Sequence, residues 1–468
     1  MRFFQPAARD SSRARLAWAS FDWAQRPFNL LVLTYIFAPF FASVLAPDPV
    51  KGQTIWGLAL GGAGFIVAIA SPAIGAISDA GGRKKPWIAT FGLLLVLGAS
   101  LLWFAAPGGR WSMAIAVAGV TIAVIGSEFA IVFHNSLMPS LAPADRIGRL
   151  SGMAWAMGSL GGLVALLAML LFVLANPRTG RTMVGLRPAF PLDPTLHEGE
   201  RIVGPIAAAW FALFVTPMFV AMPDDLASAL SVRSAVRRGL RAYRETMRSF
   251  PKRRDLTIFL LANMAYTDGL TAIFAFGGIY AAAIFGWGAV QLTLLAIALL
   301  SITGIAALAV GHLIDRFGSK RIIMANVGAL LVAALGILGT TRDTVLFVIP
   351  VAPPTTNGDL FGSIGEKSFL AFATLIGVSA GPLQAASRSH LALLAPPSQA
   401  AQYFGFFALS GRLTAFAGPT LVGVITAATA SQRLGVAPIA LLLAIGLILV
   451  ATLRGGDAPT GGASPSAT

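Results

Sequence analysis

Twelve stretches of about twenty mainly apolar residues punctuate this chain, and no other feature constrains its folding as much. They cover approximately residues 16–42, 54–77, 86–106, 111–138, 148–175, 203–222, 256–285, 289–313, 320–340, 367–392, 403–428 and 434–454. A helix needs about 20 such residues to cross a hydrocarbon core of roughly 30 Å. In that core each backbone N–H and C=O must find a partner inside the segment, which a helix provides. Composition agrees. Of 468 residues 56% are hydrophobic and 11% charged, against about 25% charged in a soluble domain. A soluble enzyme, a disordered chain and a disulfide-stapled secreted domain all fit poorly. The absence of cysteine closes off both a disulfide framework and a thiolate metal site. The alternating ten-residue segments of an outer-membrane barrel do not occur. The first apolar run is too long for a signal-peptide core and is read as a retained helix. The expected fold class is an all-α integral membrane protein with twelve transmembrane helices.

The basic residues give an orientation. With an even helix count and a cytoplasmic N-terminus, 22 of the 34 Lys and Arg residues fall on the cytoplasmic side and nine on the external side. Both termini are therefore expected in the cytoplasm, at a bacterial plasma membrane. The net charge of +15 is spread along that face. It suits the anionic headgroups of the inner leaflet and not a nucleic acid.

The chain also repeats itself. Residues 75–85 read GAISDAGGRKK and residues 311–321 read GHLIDRFGSKR. Gly75, Asp79, Gly82, Lys84 and Lys85 align with Gly311, Asp315, Gly318, Lys320 and Arg321 at one offset of 236 residues, close to half the chain. A repeat at half length implies two parallel six-helix bundles, an architecture in which substrate binds between the bundles. The expected organisation is a bundle at 1–222, a linker at 223–255, a second bundle at 256–454 and a disordered tail at 455–468. In each loop Gly82 or Gly318 permits a tight turn. Asp79 and Asp315 lie near helix ends, where each can pair with an Arg or with free backbone N–H groups. The group Gly75, Asp79, Gly82, Arg83, Lys84, Asp315, Gly318, Lys320 and Arg321 is read as a conformational latch.

These loops resemble the G-x-x-x-D-x-x-G-(R/K)-(R/K) signature of the major facilitator superfamily, with Ser319 in place of a basic residue in the second copy. Longer stretches resemble one subgroup, the vacuolar effluxers related to autophagy and their bacterial counterparts, the unknown major facilitators. They are FDWAQRPF at 21–28, FHNSLMPSLA at 133–142, YTDG at 266–269, GPLQAASRSHLALLAPP at 381–397 and YFGFFALSGRLTAFAGP at 403–419. Phe21, Gln25 and Arg26 depart from that group's usual Tyr, Asn and small residue. The resemblance implies the major facilitator fold and a secondary transporter. Amino acids are the best-known substrates of the eukaryotic relatives.

Ionisable residues inside a membrane are costly and point to function. Here they concentrate on four helices: Asp22, Arg26 and Asn29 on the first, Glu128, His134 and Asn135 on the fourth, Asn263, Tyr266 and Asp268 on the seventh, and Gln384, Ser387, Arg388 and His390 on the tenth. Substrate and proton coupling are assigned to Asp268, Glu128, Tyr266, Asn263, Asn135, Gln384 and Arg388. Glu128 and Asp268 lie near mid-membrane. Either is a proton site, or a carboxylate permanently paired with Arg412 or Arg388. Asp22 and Arg26 share a helix face and can pair. Four dispersed His residues make no metal site, no phosphate loop occurs, and no cofactor is called for. Arginines and an apolar stripe at Val232, Val236, Leu240, Tyr243, Met247 and Phe250 predict a basic amphipathic linker helix on the inner leaflet, or a solvated one between the bundles.

The resulting expectation is a monomeric secondary transporter, not an enzyme. It would move a small polar solute, an amino acid or related zwitterion, with protons by alternating access. Sugar or drug transport on the same fold, or a membrane receptor that moves nothing, are the alternatives.

Overall fold

The computed structural model describes residues 11–174, 179–222, 228, 230–351, 361–415 and 417–454. Among them, twelve helices are long and apolar enough to cross a membrane. They are α1 (Ser12–Leu45), α2 (Pro49–Gly81), α3 (Lys85–Phe104), α4 (Ser112–Ser140), α5 (Ala144–Val173), α6 (Glu198–Ala221), α7 (Arg254–Phe285), α8 (Gln291–Phe317), α9 (Ser319–Leu338), α10 (Ile364–Leu394), α11 (Pro397–Thr429) and α12 (Arg433–Ala451). Several run past the apolar stretches that announce them, because caps extend them. The carboxylate of Asp48 accepts from the N–H of Lys51 at 2.8 Å and starts α2. Gly82, at φ 86°, ends it in a conformation that side chains rarely adopt.

Among the described residues α1, α5 and α11 carry irregular turns or breaks. α1 has wide π-type turns over Phe28–Tyr35 and Phe41–Leu45, and α5 ends in one over Met169–Val173. α11 is helical over Ala400–Arg412 and again over Ala417–Thr429. The sequence reading took 403–428 as one stretch. Pro419 supplies the reason for the break, since it offers no N–H and its ring crowds the carbonyl four residues back.

By proximity of Cα atoms the chain divides into two compact units. The first gathers residues 1–141, 154–247 and 396–413. In it α3 and α4 lie in close contact at glycines: a Cβ on Gly126 would stand 2.5 Å from the Leu95 nitrogen. α1 meets α6 through Trp23 on Trp210 and Phe21 on Phe211, with ring centroids 5.9 and 5.8 Å apart. The first piece of α11 lies on α2, where a Cβ on Gly405 would come within 2.5 Å of the Ser71 oxygen.

The second unit gathers residues 142–153, 248–395 and 414–468. Here α7 packs on α12, and α10 packs on α8 and α9. A core of Tyr280, Phe285, Trp287 and Phe369 fills one end. The indole of Trp287 donates to Glu366 at 2.8 Å, and Glu366 in turn completes the cap of α10 with Ser363. The two units differ from the halves read off the repeat chiefly at 142–153 and 396–413, each of which groups with residues of the other half.

The linker helix runs from Val232 to Ser249. It has a face that the sequence reading did not anticipate. Ala235, Gly239 and Thr246 are buried. A Cβ on Gly239 would stand 2.5 Å from the Ile77 Cα, and Tyr243 stacks near Phe406 with centroids 6.3 Å apart. Small residues thus seat the helix on α2 and α11, while Val232, Leu240 and Met247 from the apolar stripe stay exposed. Linker residues 223–227 and 229, residues 352–360 and the tail at 455–468 lie outside the described residues.

Candidate functional site

The repeated loop motifs place their aspartates at matching positions. In the first unit, Asp79 is buried and ion-paired with Lys84, which is 5% exposed. Its carboxylate also accepts from the backbone N–H of Ala401 at 3.2 Å and of Gln402 at 2.9 Å. These are the second and third residues of the helix starting at Ala400. In the second unit, Asp315 accepts from the N–H of Gly148 at 2.7 Å and of Arg149 at 3.2 Å, and from the Arg149 Nε at 2.8 Å. Gly148 and Arg149 are the second and third residues of the helix starting at Ile147. Each aspartate therefore acts as an N-cap supplied from another helix. It satisfies two of the four free N–H groups and faces the positive end of the helix dipole.

The glycines of the motifs make room for this. Gly75 lies directly against the Ala401 backbone, and a Cβ on Gly311 would stand 2.9 Å from the Arg149 Cα. Gly82 and Gly318 turn the chain at φ 86° and 85°. The basic residues divide by role. Lys84 pairs with Asp79, and Lys320 donates to the Leu453 carbonyl at 2.7 Å. Arg83 and Arg321 are exposed.

The intramembrane residues fall into three groups. In the first unit, Glu128 forms an ion pair with Arg412, whose side chain is 40% exposed against 15% for Glu128. Gly64 borders the arginine, and a Cβ there would stand 3.9 Å from the Arg412 Cδ. Arg26 lies over the Trp155 ring at 4.2 Å. Asp22, expected beside Arg26, has its carboxylate 3.9 Å from the Nδ1 of His134. Asn135 is buried on the same helix as that histidine.

In the second unit, Tyr266 shares a 2.8 Å hydrogen bond with Ser387, and Asn263 accepts from Thr267 at 3.5 Å. Gln384 is half-buried. Arg388 is a clamp: its Nε donates to the Ser151 hydroxyl at 2.9 Å and its Nη2 to the Ser151 carbonyl at 2.7 Å.

Asp268 forms the third group alone. It is 2% exposed, and its Oδ1 has no hydrogen-bond partner among the described residues. Thr414 is a neighbouring polar side chain, and Gly418 packs on its backbone. The arginines weighed as its partners are engaged elsewhere, Arg412 with Glu128 and Arg388 with Ser151.

Sequence reasoning missed Ser151, Trp155 and the contact of Gln25 with Ser127 at 2.8 Å. The last joins α1 to α4, and its signal was a polar Gln25 inside an apolar span.

Residues 61–455 match the family described as vacuole effluxer Atg22 like. The chain belongs to this family. This Atg22-like chain is 24% identical to the MFS-type transporter YxiO of Bacillus subtilis over 442 residues, 93% of each chain. It is 24% identical to autophagy-related protein 22 of Cryptococcus neoformans over 240 residues, 49% of this chain but 40% of that one. It is 28% identical to autophagy-related protein 22 of Kluyveromyces lactis over 183 residues, 38% of this chain and 34% of that one. The chain thus spans less than half the length of these fungal relatives.

Among solved structures, FucP in its outward conformation superposes with a TM-score of 0.69 at 15% identity, covering 94% of this chain and 98% of that one. The proton:xylose symporter XylE gives 0.67 at 14% identity, covering 95% and 96%. The Atg22-like chain has the major facilitator fold and is a membrane transporter.

Proposed function

We propose that the protein is a proton-coupled secondary transporter of a small zwitterionic solute, an amino acid or close relative. The observation that carries the coupling is Asp268, a buried carboxylate within α7 with no cationic side chain within 4 Å among the described residues. A permanently charged carboxylate in such a place is expensive, and uptake of a proton removes the charge. Tyr266 and Asn263 lie on the same helix and supply neutral polar groups.

The solute class rests on Glu128 and Arg412. An ion pair that is partly exposed can exchange its internal partner for the charges of a ligand. Arg412 would take the carboxylate through its planar fork, and Glu128 would take the ammonium group. A zwitterion replaces both charges at once and leaves neither stranded, whereas a sugar replaces neither.

The two halves of the repeat, 1–222 and 256–454, would alternate access. Release of the caps at Asp79 and Asp315 would free the segments they hold. The orientation follows the basic residues, with both termini in the cytoplasm of a bacterial cell. The protein works as a monomer, with anionic headgroups along its inner face.

The test is solute-driven proton flux in proteoliposomes, with amino acids, short peptides and sugars offered to wild type, Glu128→Gln and Asp268→Asn. The expected result is flux with amino acids only. Asp268→Asn should abolish it while radiolabel counterflow persists, and Glu128→Gln should abolish both. Counterflow of a solute without proton movement in wild type would overturn the coupling. Flux with sugars alone would overturn the solute class.

A further inference from the structure

Trp18, Phe21 and Asp22 of α1 surround His134 of α4 in an arrangement that neither the caps nor Asp268 uses. Trp18 and His134 exchange two hydrogen bonds. The indole N–H donates to the His134 carbonyl at 2.9 Å, and the imidazole Nε2 lies 2.9 Å from the Trp18 carbonyl. A carbonyl oxygen only accepts, so Nε2 carries a hydrogen. The rings of Trp18 and Phe21 stack on the imidazole with centroids 4.4 and 4.1 Å away, tilted by 11° and 14°. His134 is fully buried. Its ring is therefore fixed, with Nδ1 3.9 Å from the Asp22 carboxylate, within ion-pair reach and beyond hydrogen-bond distance.

That geometry leaves little freedom. With Nε2 protonated, a bare Nδ1 would set its lone pair near those of an ionised carboxylate, on a ring that is itself closed to water. One proton relieves this, either as imidazolium facing carboxylate or as carboxylic acid facing imidazole. The stacked aromatic faces further favour a cation.

We propose that Asp22 and His134 form a proton-binding dyad that holds one proton beyond the one fixed on Nε2. Asp22, with a side chain 15% exposed, is the entry point, and the sealed His134 is the holder. Asp268 belongs to the other unit.

The surrounding helices supply few competing charges. On α1 the others are Arg13 and Arg15 near its start and Arg26, over Trp155. On α4 it is Glu128, paired with Arg412. α2 brings Asp79, paired with Lys84. α3 brings Lys85, which donates to the Phe219 carbonyl at 2.9 Å. Residues 154–168 of α5 and 203–221 of α6 contain no ionisable side chain. Loss of the proton would set like lone pairs against each other where α1 has little room to adjust. A Cβ on Gly158 of α5 would already stand 3.1 Å from the Asp22 carbonyl oxygen.

The test is nitrogen NMR of the full chain in lipid bilayers with 15N-labelled histidine. The His134 signals are assigned by their loss in His134→Gln. Should that variant fail to assemble, they are assigned by transfer from labelled tryptophan, since His134 is the histidine stacked on one among the described residues. At neutral pH the wild-type Nδ1 is expected to give the signal of a protonated ring nitrogen. In Asp22→Asn, which keeps the side-chain shape, proton occupancy at that nitrogen should fall at least tenfold and give the signal of a bare ring nitrogen. His390 should not change. A bare Nδ1 in wild type, or one unaltered by Asp22→Asn, would overturn the proposal.

Discussion

Removing the carboxylate of Asp79 should release residues 396–413 from α2. Asp79→Ala deletes two charge-assisted hydrogen bonds to the N–H groups of Ala401 and Gln402, each worth about 1.5–3 kcal/mol. It also strands Lys84, which is 5% exposed and ion-paired with Asp79. Breaking a buried pair from one side costs about 3–5 kcal/mol. These costs overlap, so about 3–5 kcal/mol is expected in all, or roughly two to three and a half powers of ten in the opening equilibrium.

The chain contains no cysteine, so an introduced one is its sole thiol. Ala400 is 1% exposed and sits at the capped end. Maleimide labelling of Ala400→Cys in membranes reads the opening directly. Asp79→Ala should speed labelling at least tenfold, and Asp79→Asn less, because the amide keeps an acceptor oxygen. Adding Lys84→Met to Asp79→Ala should recover part of the protection, because the stranded ammonium is then gone. Labelling of Asp79→Ala within twofold of its parent would refute the cap, as would equal acceleration by replacing the exposed Arg83.

Three further outcomes follow from the same geometry. Asp315→Ala should expose a cysteine placed at the buried Ile147 less strongly, by about 1–3 kcal/mol, because the Arg149 it leaves is half-exposed and finds water. Gly126→Ala should lower thermal stability by about 1–3 kcal/mol through overpacking, since its Cβ would meet the Leu95 nitrogen and Phe91 oxygen at 2.5 Å. Replacing the outward-facing Gly57, where a Cβ meets nothing within 4 Å, should leave the same melting curve unchanged. The Asp48 carboxylate is held below its ordinary 3.8 by the backbone N–H and the ammonium of Lys51. A depressed carboxylate stabilises the fold above its ordinary range and ceases to do so as pH falls through its folded value. The difference between wild type and Asp48→Ala should therefore persist at neutral pH and vanish below 3.8.

Much of this protein was legible before folding was considered. The span count, the repeat with its turn glycines and the family resemblance are local or periodic properties of the chain. So was the placement of ionisable residues on four helices, because polar groups stand out against an apolar background. Helix ends were less legible. The break in α11 before Pro419 and the wide turns of α1 depend on where backbone groups find partners.

What remained hidden was partnership. Sequence spacing put Asp22 and Arg26 on one face, but it contained nothing to bring His134 toward that carboxylate. Asp79 and Asp315 were read as able to meet an Arg or backbone N–H groups. Folding gave Asp315 both, and it gave Asp79 a lysine together with the start of a helix more than 300 residues away. Glu128 and Asp268 looked alike as acidic residues near mid-membrane. Tertiary structure separated them, giving one an arginine and leaving the other without a cation among the described residues. The physical reason is the same throughout. Hydrophobic length and periodicity are summed along the chain, and so the sequence alone determined twelve membrane helices in two repeated halves. The state of a charge depends on the few atoms within about 4 Å of it, and only the packing of distant helices decides which atoms those are.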